Sequence, residues 1–90
     1  MYSLKIIPGA ERDIEKLRKR IPLRDFEHLY GAIENLATQP RPHDVKKLKG
    51  AEGVYRTRVG NYRIVYKVLD DEQMVLIVEV ARRTETTYRA

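Results

Sequence analysis

The sequence predicts an α+β domain with the element order β-α-α-β-β-β: an antiparallel-rich twisted sheet with a helical hairpin packed on one face. Three observations predict it. Apolar side chains recur at helical spacing through two segments between residues 10 and 37, divided by Pro22. They recur at strand spacing in three runs between residues 54 and 81, divided by Gly60-Asn61 and by the polar turn from Asp70 to Gln73. A short alternating segment precedes both helices. At 90 residues without cysteine the chain forms one domain, residues 1–90, and neither disulfides nor a thiolate metal site supplement its core.

The elements follow in order. In residues 2 to 7, Tyr2, Leu4 and Ile6 alternate with Ser3 and Lys5, a short strand that Pro8 and Gly9 end. From Ala10 the period changes: Ala10, Ile14, Leu17 and Ile21 form one stripe of a helix that is acidic early and basic late, as the helix dipole favours. Pro22 closes it. A second helix spans about Arg24 to Ala37, with Phe26, Leu29, Tyr30, Ile33 and Leu36 along its apolar side. So short a link between the two predicts an antiparallel pair. The segment TQPRPHD, residues 38 to 44, holds two prolines and is a connector. Three strands follow, and the last run, MVLIVEVA, is apolar on both parities, which predicts a central strand covered on both faces. A sheet with one apolar face needs cover, and the helical hairpin supplies it.

The hairpin of residues 54 to 68 holds the functional question. A two-residue turn at Gly60-Asn61 sets Val59 opposite Tyr62, Thr57 opposite Ile64 and Tyr55 opposite Tyr66, all on one face. It sets Arg58 opposite Arg63, Arg56 opposite Val65 and Val54 opposite Lys67 on the other. Like charges directly opposed across a ladder are destabilising. The arginines either solvate an open face or gather an anion. Their neighbours favour the second: Lys46, Lys47 and Lys49 lie upstream, Arg82 and Arg83 follow the last strand, and Tyr88 comes shortly after. Few acids accompany them, Glu79 being the one expected on the strands. Lys, Arg and Tyr on one sheet face suit a phosphate backbone.

The charge balance agrees. The chain carries a formal net charge of +5, with a pI near 9.6, and so favours an anionic partner. Its apolar runs are too short to span a bilayer, and MYSLKIIPGAERD lacks a signal-peptide pattern, so a cytoplasmic protein with no membrane partner is expected.

The pieces KKLKG, VYRTRV, YRIVYKV, MVLIVEVA and RRTETTY, in this order and spacing, resemble the RelE family of toxins, ribosome-dependent mRNA interferases within the RelE/ParE superfamily. The resemblance covers nearly the whole chain. It implies a RelE-like fold and a toxin of a type II toxin–antitoxin system, neutralised by a cognate antitoxin. It also implies an endoribonuclease that cuts mRNA in the ribosomal A site, using the RNA's own 2′-hydroxyl as nucleophile and no metal or other cofactor.

Carried over residue by residue, the resemblance makes Lys47, Lys49, Arg58, Arg83 and Tyr88 catalytic. Lys47 and Lys49 would neutralise the phosphate. Arg83 would stabilise it and donate a proton. Tyr88 would stack on a base or act as general base, which needs nearby cations to lower a phenol that normally titrates near pH 10. Many family members carry a further arginine before the hairpin turn; here the turn is shorter, and Arg58 stands nearest, ahead of Arg56. Lys46, Arg56, Arg63, Lys67 and Arg82 would bind RNA. The expected partners are the ribosome, mRNA and an acidic, partly disordered antitoxin that wraps the basic domain.

His28 and His43 have no partner at metal-ligand spacing, and Tyr55, Tyr62 and Tyr66 read as core and rim. The competing reading is a ParE-like toxin, which shares the fold but inhibits DNA gyrase and lacks the RNA-cutting residues. A third is a degenerate member that only binds its antitoxin.

Overall fold

The computed structural model describes residues 1–43, 45–48, 50 and 52–83. Its elements are β1 (Ser3–Ile6), α1 (Pro8–Arg20), α2 (Leu23–Asn35), β2 (Lys46–Lys47), β3 (Val54–Val59), β4 (Tyr62–Leu69) and β5 (Met74–Arg82). They form one five-stranded sheet in the order β1-β5-β4-β3-β2. The pair β1–β5 is parallel and the other three are antiparallel. The expected element order holds, with two additions. Lys46 and Lys47 form a two-residue edge strand, and β1 docks against the last strand instead of extending the meander. A short edge strand of lysines discourages further strand addition.

The helices sit on one face of the sheet. Pro8 does not merely stop the strand; it opens α1, where a missing N–H costs nothing. At the other end the Ile21 N–H donates to the Leu17 carbonyl at 3.0 Å, and Pro22 starts α2. The core stripe of α1, Ala10, Ile14 and Leu17, lies over β5, while Leu29 and Ile33 turn α2 inward over β3. Beneath them lie Ile64, Tyr66, Val75, Ile77 and Val80, all sealed from solvent.

A bulge in β5 explains its continuous apolar run. Val68 pairs with Val75 and Tyr66 with Ile77, but Val65 pairs with Glu79 and Ile64 with Val80. Val78 is the extra residue. One unpaired residue reverses the side-chain parity of everything after it. Helix-facing positions are therefore 75 and 77 before the bulge and 80 after it. The expectation that β5 is covered on both faces is corrected. It is interior to the sheet, flanked by β1 and β4, but Leu76 and Val78 on its outer side are only half-buried.

The proline connector is fixed by tyrosines and one arginine. Tyr66, fully buried, donates its hydroxyl to the Pro40 carbonyl at 2.7 Å, and burial pushes that phenol well above its ordinary range. The Arg41 guanidinium lies 5.3 Å from the centroid of the Tyr55 ring. Its Nε donates to the Tyr55 hydroxyl at 3.0 Å and its Nη2 to Asp70 at 2.7 Å. Asp70 also accepts from the Tyr2 hydroxyl at 2.8 Å. These donors, Arg41 first, hold the Asp70 carboxyl below its usual range. The connector thus delivers Lys46 to the edge of β3 in a set position.

The turn between β3 and β4 behaves as expected. Gly60 takes φ +57°, and Asn61 stays out of the left-handed region, the pattern of a type II′ turn. A Cβ at Gly60 would meet no atom within 4 Å, so backbone conformation alone requires glycine there. Gly60→Ala is expected to lower unfolding free energy by about 1–2 kcal/mol, read from urea midpoints at unchanged slope. An unchanged midpoint would mean that the turn tolerates a side chain at this φ.

Candidate nucleic-acid interface

The register of the hairpin places its cations as the alternation requires. Arg58 is paired with Arg63, Arg56 with Val65 and Val54 with Lys67, all on the face away from the helices. The ladder continues outward. Arg63 is opposite Ala81 and Val65 opposite Glu79 on β5, and Lys46 is opposite Arg56 on β2. Three chain segments therefore set basic side chains onto adjoining positions of one open face. In such a pair the Cβ atoms lie about 4.5–5.5 Å apart, a spacing at which like charges disfavour each other.

A cleft of about 480 Å³ opens over this row, lined by Arg56, Arg58, Asn61, Tyr62, Arg63, Arg82 and Arg83. Among the described residues, five of the seven that line it are arginines and none is a carboxylate. Arg83 is held there by the turn: its N–H donates to the Asn61 carbonyl at 2.8 Å, and its Nη1 to the Gly60 carbonyl at 3.3 Å. Guanidinium groups are planar forks suited to bidentate contacts with phosphate oxygens. Tyr62 borders the cleft with its ring nearly buried, and its hydroxyl faces Asp25 at 3.5 Å. Burial, then the Asp25 charge, raise its pKa, against a smaller opposing effect of Arg82. Tyr62 therefore keeps its proton at neutral pH, with its hydroxyl turned to Asp25.

A second cleft, of about 440 Å³, adjoins the first through Arg56 and Arg58, and adds His43, Val45 and Lys46. The other residues expected from the sequence separate as follows. Arg56, Arg58, Arg63, Arg82 and Arg83 come together in the first cleft, and Lys46 in the second. Lys47 is opposite Tyr55, so the alternation of β2 directs it to the helix side of the sheet. Lys67 shares the open face but lies two pairs further from the turn than Arg56 and outside both clefts. Lys49 and Tyr88 lie outside the described residues. Asn61 and Tyr62 line the cleft, although the sequence pattern did not mark them as site residues. Asn61 was identifiable as a turn residue beside the arginine pair, whereas Tyr62 reads as core because its ring is one. Among the described residues, no three His, Asp or Glu side chains gather as a metal-ligand set. Among them also, no helix is long and apolar enough to cross a membrane.

The model of the ParE toxin family of type II toxin–antitoxin systems matches residues 4–86. The chain belongs to this family. As a RelE/ParE-superfamily toxin of the RelE type, it is 32% identical over 90 residues to toxin RelE of Mycobacterium tuberculosis, a match covering 98% of this chain and 87% of that relative. The Methanocaldococcus jannaschii protein designated RelE1 is 38% identical over 68 residues, 72% of this chain and 76% of its own length. Among solved structures, the RelE–RelB complex of Pyrococcus horikoshii matches with a TM-score of 0.76 at 24% identity, over 94% of this toxin and 98% of that chain. That likeness establishes the fold.

The opposed arginines predict a trade between stability and binding. Arg58→Thr is expected to raise unfolding free energy by about 0.5 kcal/mol, since threonine suits a strand and removes the repulsion. The same change is expected to weaken binding of a non-cleavable RNA about tenfold, measured by anisotropy. A variant that is less stable and binds equally well would show that Arg58 supports the sheet and not a ligand.

Proposed function

We propose that this toxin is a ribosome-dependent endoribonuclease that cleaves mRNA in the A site and so stops translation. The observation that supports it most is the cleft of about 480 Å³ in which arginines from β3, β4 and the end of β5 face one space, with no carboxylate among the described lining residues. In-line attack of a 2′-hydroxyl on the adjacent phosphate adds negative charge to the phosphoryl oxygens. Donors already aimed at that position stabilise the charge without reorganisation. Arg58, Arg63 and Arg83 are the groups assigned to it. The hydroxyl proton goes to a general base, for which Tyr88 is the candidate, and the departing 5′-oxygen takes a proton, for which Arg83 and Lys49 are the candidates. The 2′-oxygen–phosphorus bond forms as the phosphorus–5′-oxygen bond breaks, leaving a 2′,3′-cyclic phosphate. No step needs a metal.

Neutralisation follows the same electrostatics. An extended acidic antitoxin would cover the arginines and block access of RNA. Solved relatives support such a partner: the RelBE2 complex of Mycobacterium tuberculosis is a toxin–antitoxin pair whose matched chain has a TM-score of 0.73 at 27% identity. A second reading, inhibition of DNA gyrase, is favoured by the ParE description of the matching family model.

Primer extension on a translated mRNA separates the readings. Stops that appear only with ribosomes present are expected. Arg83→Ala is expected to reduce their rate about 10²–10³-fold, as loss of a transition-state donor does. Tyr88→Ala is expected to act at least as strongly if the phenol is the base. Intact mRNA together with inhibited supercoiling would support the gyrase reading, and unchanged cleavage by both variants would place the site elsewhere.

A further inference from the structure

The arginine cleft does not end at Arg82. That residue also lines a smaller groove of about 170 Å³ between α1 and the end of β5, with Asp13, Lys16, Leu17, Arg20, Val80 and Ala81. The helix presents a distinct charge pattern there. Arg12, Lys16 and Arg20 recur every four residues, so they share one flank, each step about 6 Å along the axis. The next flank carries Glu11, Glu15, Arg18 and Lys19, with Arg18 ion-paired to Glu15. Lys16 and Arg20 thus line the groove beside Arg82, and Arg12 continues their row one turn further from the cleft.

The one carboxylate in the groove has another task. β1 leaves the sheet at Ile6, so among the described residues the edge of β5 beyond Ile77 has no neighbouring strand on that side. Asp13 reaches that edge and accepts the Val80 N–H at 3.2 Å. Partial burial raises its pKa, the Val80 N–H and the charges of Lys16 and Arg12 lower it, and Glu79 nearby raises it. Asp13 caps the strand edge from the floor of the groove, while Lys16 and Arg20 stand exposed at its rim.

We propose that Arg12, Lys16 and Arg20, joined to the cleft by Arg82, form a phosphate track that holds the RNA strand beyond the nucleotides gripped by the arginines. The steps along the helix are of the order of the distance between neighbouring phosphates of an extended strand. The occupant is the strand already seated in the cleft, continued past Arg82. This inference rests on the reading of the arginine cleft as an RNA site.

The test measures binding of two 2′-deoxy, non-cleavable oligonucleotides by anisotropy across a salt series. One is just long enough to fill the cleft; the other is extended at both ends. The unmodified toxin is expected to bind the extended strand more tightly and with a steeper salt dependence. Lys16→Gln combined with Arg20→Gln is expected to leave short-strand affinity unchanged and to reduce the extended-strand salt slope by about 1.4, at about 0.7 for each phosphate that is no longer neutralised. Arg18→Gln, on the other flank, is expected to leave both unchanged; its thermal midpoint and that of the double variant verify folding. An extended strand whose slope persists in the double variant, or falls equally in Arg18→Gln, would overturn the track. Failure of the short strand to bind the unmodified toxin would overturn the cleft reading itself.

Discussion

Everything about the basic face depends on the turn at Gly60-Asn61. Because side chains alternate along a strand, a slip of β3 by one residue against β4 would move Arg56 and Arg58 into the core and Tyr55 and Thr57 to the open face. A two-residue turn forbids that slip, and the positive φ of Gly60 permits the turn. The same peptide units then act a second time. The carbonyls of Gly60 and Asn61 accept hydrogen bonds from Arg83, so the segment leaving β5 is tied to the tip of the hairpin. Register and convergence thus share one local cause.

The arginine pair at the centre of the face works against the stability of the sheet. A domain of this size has a modest core, and interactions worth a few tenths of a kcal/mol matter to it. Threonine or a carboxylate opposite Arg63 would serve a scaffold better. The rest of the molecule keeps that arrangement in place: the helices cover the apolar face, Tyr66 and Arg41 pin the connector, and the connector positions Lys46 beside Arg56. Family membership marks the chain as a toxin of a type II toxin–antitoxin system, and the hairpin gathers its positive charge on one face.

Much of this was legible in the sequence because it is governed by local rules. The two amphipathic helices, the hairpin register and the composition of both sheet faces followed from periodicity and a single turn. Three features followed from tertiary context and were not legible. Lys46-Lys47 is too short to show a strand pattern, and it exists as β2 only because β3 offers an edge. The parallel docking of β1 depends on the whole chain between them. The bulge at Val78 makes a one-sided strand look two-sided, since the parity switch spreads apolar residues over both registers. At the site, Arg56, Arg58, Arg63, Arg82 and Arg83 gather as the charge pattern suggested, whereas alternation carries Lys47 to the other side and distance separates Lys67. The groove along α1 was not legible either, because its cations are spaced as any solvated helix flank is; only the position of β5 gives them a partner in Arg82.

The central claim is that side chains from the hairpin and from the segment after β5 grip one phosphate together, and a double-mutant cycle tests it most directly. Affinity for a short non-cleavable RNA is measured for the unmodified toxin, Arg58→Ala, Arg83→Ala and the double variant. A shared phosphate predicts a coupling energy of about 1 kcal/mol, the double variant losing less than the two single losses combined. Losses that simply add would mean that the two arginines hold separate groups and that the convergence has no functional meaning.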